Sequence, residues 1–319
     1  MMPSYSGRKQ AHRASVLVNV ICAFAIMLMI MPPALTSLRQ ASETAVSYYD
    51  RRYAENKISM TLALLRDPIF YCGISMPLDK TIYKKLFMNS TYEPFCWDGP
   101  IKISSSLSGT ENGELRIAYG VPSGIRVLGS YDYGSSKKII KLSRPEDEER
   151  IVEKSSGPPK YVKNVVMFAR SFPPSMPLVV RDKDASMKTL QAEYAEKTRY
   201  SIREGDELIY FRAIRAYSYS GILYTDDYRI SGIQPRVDGI EDISFDFDST
   251  TKILNIYVLA RGIKQYNDEK PIMWIENCPQ NIVSRWQAKK SPYRRYARKV
   301  SWRLSNCISA ENIQEASSL

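Results

Sequence analysis

Hydrophobic and polar positions follow three different rhythms along the chain. From Ala14 to Met31 every residue is uncharged, and Asn19 is the one amide among them. Pro32, Pro33, Ala34 and Leu35 extend the apolar run. A helix crossing a hydrocarbon core needs about 20 mainly apolar residues, so this stretch predicts a membrane-spanning helix. Residues 36–66 then show Leu38, Ala41, Ala45, Tyr49, Tyr53, Leu62 and Leu65 near helical spacing, with charged residues between them. No Gly or Pro interrupts between Pro33 and Pro68, so anchor and amphipathic stretch predict one helix of roughly 50 residues, bent at Pro32 and Pro33.

Beyond Cys72 the rhythm shortens to a period of two. Ile243, Phe245 and Phe247 alternate with Asp242, Ser244, Asp246 and Asp248, the signature of a half-buried antiparallel strand. Ser249-Thr250-Thr251 turns it into a hairpin partner at Ile253–Ala260. Val300, Trp302 and Leu304 alternate with Lys299, Ser301 and Arg303 in a further strand. Other expected strands are Glu114–Tyr119, Ile125–Leu128, Lys138–Leu142, Tyr161–Ala169 and Glu207–Tyr217. Asp184–Lys197 reads as a short helix, and residues 144–160 as an acidic surface loop. The fold class is α+β: a long N-terminal helix on an antiparallel β-rich head. The expected divisions are a leader at 1–14, a spanning segment at 15–36, an amphipathic stalk at 37–70 and an extracytoplasmic head at 71–319.

Charge changes this picture by its location. The 319 residues carry a net charge of +11. Arg8, Lys9 and Arg13 precede the apolar run, and a basic flank keeps that end in the cytoplasm and exports the rest of the chain. The eight cations between Arg285 and Arg303 stand without an acid among them. They interleave with Trp286, Tyr293, Tyr296 and Trp302, a pattern that can stack bases and hold phosphate. Core packing of Val300, Trp302 and Leu304 in a terminal strand accounts for it better, and an acidic partner subunit or anionic lipid accounts for it as well as nucleic acid does. Arg294, Arg295, Arg298 and Lys299 form the candidate contact patch.

Composition removes several chemistries. The single histidine, His12, lies in the leader, so a Ser–His or Cys–His nucleophile in the head is not expected. There is no CxxC pair, no phosphate-cradling glycine loop and no carboxylate pair of telling spacing, so no catalytic residue, cofactor or metal site is expected. Cys22 lies in the span. Cys72, Cys96, Cys278 and Cys307 fall in the exported part, where disulfides form readily. Pairings Cys72–Cys96 and Cys278–Cys307 close the shortest loops, each contributing about 3 kcal/mol by loop entropy. Four buried thiols are the alternative.

The N-terminus admits a cleaved secretory signal, an uncleaved anchor, or a processed one. Arg13-Ala14-Ser15-Val16-Leu17-Val18-Asn19-Val20 resembles the processing site of type IV prepilins and type II secretion pseudopilins. In that resemblance prepilin peptidase cuts after Ala14, and Ser15 becomes the methylated first residue. Ala14 stands where the family usually has glycine, and Asn19 where it has a glutamate that pairs with a neighbouring subunit's N-terminus. Four later stretches, Leu62–Gly73, Glu204–Ile209, Gly239–Asp248 and Tyr293–Asn306, are similar in kind and order to segments of PilW-like minor pilins. The resemblance implies a non-enzymatic minor subunit of a pilus, secretion or DNA-uptake filament. It would be anchored once in a bacterial inner membrane with a cytoplasmic N-terminus, and its partners would be other pilin or pseudopilin subunits, with DNA as a further candidate. An unprocessed membrane-anchored binding module is the alternative.

Overall fold

A computed structural model describes residues 6–74, 76–87, 93–105, 113–131, 137–146, 165–169, 178–194, 202–229, 232–275 and 277–306. It has one long N-terminal helix and a large antiparallel β domain, an α+β architecture. The chain divides into two compact units, Met1–Arg52 and Tyr53–Leu319, with the boundary inside the first helix.

Helix α1 runs unbroken over Ser6–Phe70, longer than the sequence pattern suggests. The expected leader is part of it from Ser6 onward, and neither the proline pair nor Pro68 ends it. Each proline removes one backbone donor from the helical ladder. Near the pair, the Thr36 hydroxyl donates to the Pro32 carbonyl at 2.9 Å, a side-chain bond back along the helix.

In the second unit α1 buries Ala54, Ile58, Thr61, Leu65 and Ile69, a stripe at spacings of three and four. The expected stripe is therefore corrected at its start: Leu38 and Tyr49 are exposed in the single chain, and the buried apolar residues of α1 begin at Ala54. The stripe packs into a core built from both sheets of the head.

A short helix α2 (Lys80–Phe87) and a single 3₁₀ turn (Glu93–Cys96) precede the strands. The larger sheet contains β1 (Ile101–Ser105), β2 (Gly113–Arg126), β3 (Lys137–Lys141), β4 (Val165–Ala169), β5 (Leu178–Asp184), β6 (Thr189–Tyr194), β7 (Glu207–Tyr219), β8 (Ile222–Asp227) and β9 (Ile233–Asp238). Its order is β1-β2-β7-β4-β5-β6-β3, and every ladder is antiparallel. β7 forks the sheet: one edge pairs with β2, while the other pairs first with β4 and then with β8, which carries β9. The smaller sheet has the order β10-β11-β13-β12, from β10 (Ile240–Asp248), β11 (Ile253–Gln265), β12 (Ile272–Met273) and β13 (Tyr293–Arg303). Helix α3 (Gln280–Ala288) covers its outer face through Ile282 and Trp286.

The expected hairpin at Asp242–Ala260 is present, with Phe245 opposite Ile256. The expected strands from Glu114, Lys138, Glu207 and Val300 are present within β2, β3, β7 and β13. Asp184–Lys197 is not a helix. Asp184 ends β5, and its Oδ1 accepts from the Ser186 and Met187 amides at 2.9 and 3.0 Å. Lys188 takes a φ of 53°, and β6 returns with Leu190 and Ala192 buried. An aspartate that satisfies nearby downstream amides favours a turn over helix propagation. Residues 147–160, 161–164 and 195–197, which hold most of the expected loop and parts of the expected strand and helix, lie outside the described residues.

Candidate functional site

Two stretches carry the expected functional residues. The first is the N-terminal part of α1. Ala14, Ser15 and Asn19 follow one another within continuous helix. The Asn19 side chain is exposed, as are Val20, Phe24, Leu28 and Met31 around the helix. An apolar groove along it is lined by Ala23, Ile26, Met27, Ile30 and Met31. A helix apolar on all sides is stable only in lipid or among other apolar helices. α1 is long and apolar enough to cross a membrane, and its most apolar window is wholly unburied.

The second stretch is β13, which splits the expected basic patch in two. Alternation places Arg294, Tyr296 and Arg298 on the face toward the shared core. Arg295, Ala297 and Lys299 are on the face toward α3. Arg295 is not a contact residue. It is 2% exposed, and its Nη1 donates to the carbonyls of Trp286 at 2.8 Å and Lys289 at 2.6 Å. Lys299 lies over the ring of Tyr257, its cross-strand neighbour, at 5.7 Å. Arg298 is exposed, and Arg294 sits over Tyr266 at 5.1 Å from the ring centroid. Lys264 and Lys270 approach the same ring at 5.2 Å each. The cation–aromatic grouping thus centres on Tyr266, which sequence spacing does not single out.

Beneath α3 lies a buried charge. Asp242 is 0% exposed, and its Oδ2 accepts from Trp286 Nε1 at 2.5 Å and Arg285 Nη2 at 2.8 Å. Arg285 also donates to the Ser244 hydroxyl. Burial pushes the Asp242 carboxyl above its usual range, and Arg285 and Trp286 pull it part of the way back.

A second charge network has no signature in the sequence. On the larger sheet, Arg116 reaches Glu93 at 2.9 Å and also bonds Glu114. Arg215 lies 3.3 Å from the other oxygen of Glu114, and the Tyr228 hydroxyl donates to Glu93 at 2.9 Å. Burial raises the nearby Asp226 carboxyl, opposed by Arg215 and supported by Glu93 and Asp227. Each glutamate is held by an arginine, so the network joins strands and the 3₁₀ turn. Its two arginines come from distant parts of the chain, and only the β2–β7 register, with Arg116 opposite Arg215, brings them together.

The expected Cys72–Cys96 bridge is not formed in this structure. The buried Cys72 thiol points to the Pro100 carbonyl at 3.7 Å, and Cys96 is exposed. Tyr83, near both thiols, is fully buried, and its hydroxyl donates to the Pro94 carbonyl at 3.1 Å. Cys278 is half-buried and likewise carries no bridge, and Cys307 lies outside the described residues. Among the described residues no three His, Cys, Asp or Glu side chains gather closely enough to hold a metal ion.

No family model, curated protein or solved structure matches this chain.

Proposed function

We propose that the chain is a pilin-like minor subunit of a type IV pilus or a related secretion or uptake filament. In this reading it acts by membrane anchoring and helix-mediated assembly, and it is not an enzyme. One observation carries it: a single helix whose N-terminal part is apolar and unburied continues, without a break, into a stripe that forms part of a β-rich head's core. A secretory signal has no need of that continuity, because it is removed as a unit. The basic leader supports a cytoplasmic N-terminus and an extracytoplasmic head.

In the filament the apolar part of α1 would exchange lipid for the helices of neighbouring subunits. Asn19 offers a hydrogen bond there, where a glutamate would offer a charge for the neighbour's ammonium. That amide also favours a second reading, an anchored extracytoplasmic binding module that is never processed.

Intact mass and N-terminal sequencing of the native protein separate the two. A methylated start at Ser15 is expected. A chain beginning at Met1 sinks the processed-subunit reading and leaves the anchored module.

A further inference from the structure

β13 is fully paired on one side only. β11 runs beside it from Ile253 opposite Arg303 to Arg261 opposite Arg295. On the other side β12 meets it at Arg295 and Tyr296 alone. From Ala297 to Arg303 no described strand lies against that outer side. The bond from the Leu304 amide to the Lys252 carbonyl, at 2.8 Å, sets the phase of the ladder. Counting back by two, Trp302, Val300 and Arg298 spend their backbone groups on β11. Lys299, Ser301 and Arg303 turn theirs outward, whereas Ala297, in the same phase, is fully buried. The open row from Lys299 to Arg303 is about 13 Å long at roughly 3.3 Å per residue.

The larger sheet's edges are less suited to pairing. β1 and β3 are five residues long, and Pro235 interrupts β9. An open row of amides and carbonyls is a template for another strand. Here the strand carries Arg298 and Arg303, both exposed, and Lys299, and residues 277–306 contain no acid. Two copies meeting edge to edge would set cation against cation, which disfavours self-pairing. An incoming strand with carboxylates meets the opposite situation.

We propose that the outer edge of β13, from Lys299 to Arg303, is a docking site for an extended acidic segment of another polypeptide, which joins the smaller sheet as an added strand. Main-chain bonds to Lys299, Ser301 and Arg303 supply affinity, and the flanking cations select an acidic sequence. The site stands whether or not the anchor is processed.

The test uses the full chain in detergent micelles and a fluorescein-labelled synthetic heptapeptide alternating Glu with Val or Thr. Saturable binding by anisotropy is expected, with amide exchange slowed at Lys299, Ser301 and Arg303. The same peptide with Lys in place of Glu should not bind. Ser301→Pro removes one outward amide and leaves the β11 ladder intact, so it should weaken binding about ten-fold. Arg303→Glu should weaken it as well. No binding at millimolar peptide, or equal binding by Ser301→Pro, overturns the proposal. If Ser301→Pro lowers the melting temperature too far for use, exchange in the unchanged chain decides: protection elsewhere than at these three amides overturns it.

Discussion

Arg295 donates to the backbone carbonyl of Trp286, nine residues earlier, and so closes the end of α3 from the strand beneath it. The last carbonyls of a helix have no partner within it. Arg295 supplies one to Trp286 and one to Lys289. Arg295→Ala should therefore cost about 2–4 kcal/mol, since it orphans two carbonyls and opens space beside a buried tryptophan. Arg298→Ala, on an exposed side chain, should change stability by no more than about 0.5 kcal/mol. Urea denaturation of the detergent-solubilised chain compares them. Equal effects would refute the structural role of Arg295.

Asp242 separates the value of a charge from the value of an acceptor. Asn at this position can still accept from Trp286, so Asp242→Asn should lie within about 1 kcal/mol of the parent at pH 7. Asp242→Ala strands the Trp286 N–H and Arg285 and should cost about 2–4 kcal/mol. The carboxyl's pKa is raised in the folded state, so the folded chain binds this proton more tightly than the unfolded one. As pH falls from 7 toward about 4, the parent should gain stability relative to Asp242→Asn. A difference that is flat across that range, or of opposite slope, would contradict the assigned shift.

The clamp between α1 and the β9–β10 turn predicts the opposite slope. Asp238 accepts from Lys57 and from the Tyr53 hydroxyl, the latter at 3.0 Å, and the Lys57 bond holds its carboxyl below the usual range. Its stabilisation is present above pH ~4 and is lost as pH falls through the folded pKa. Asp238 is largely exposed, so Lys57→Met should cost about 1 kcal/mol or less at neutral pH, and nothing once the carboxylate is protonated. Gly239, at φ +79°, turns the chain here, and an added Cβ would sit 3.5 Å from the Tyr53 ring. Gly239→Ala should cost about 1 kcal/mol through backbone strain alone. Denaturation midpoints between pH 3 and pH 7 measure both.

Thiol chemistry checks the cysteines. Iodoacetamide should label Cys96 in the folded chain and reach Cys72 only after unfolding, because Cys72 is buried and Cys96 is exposed. Peptide mapping of native protein reads the result. A Cys72–Cys96 linked peptide would instead show that the native protein closes the bridge that is open in this structure.

Local patterns are legible in the sequence, and pairings are not. Ile243, Phe245 and Phe247 alternate so cleanly that β10 and its hairpin with β11 can be read directly. The strand at Val300, Trp302 and Leu304 is visible for the same reason, but it starts earlier than those residues suggest. Carried back to Tyr293, the same alternation places Arg295 and Lys299 on one face and Arg294 and Arg298 on the other, which dissolves the apparent patch. Asp184–Lys197 misleads because a hairpin as short as β5–β6 has too little sequence to show its period beside an aspartate turn. The Glu93, Glu114, Arg116 and Arg215 network gives no signal at all, because a register between distant strands leaves no trace in local spacing.

The Asn306 side chain donates to the carbonyl of Phe70, 236 positions earlier, at the end of α1. Tyr296 and Leu304 belong to the same core as Ile58 and Leu65. The first helix is made early in synthesis, yet the surfaces that cover it are made last. Until almost the whole polypeptide has been translated, that stripe has no native place to bury itself. Contacts this distant in sequence also slow folding. Ribosome stalling or C-terminal truncation before Tyr296 would therefore leave a chain with an uncovered apolar flank, a natural substrate for chaperones and proteases.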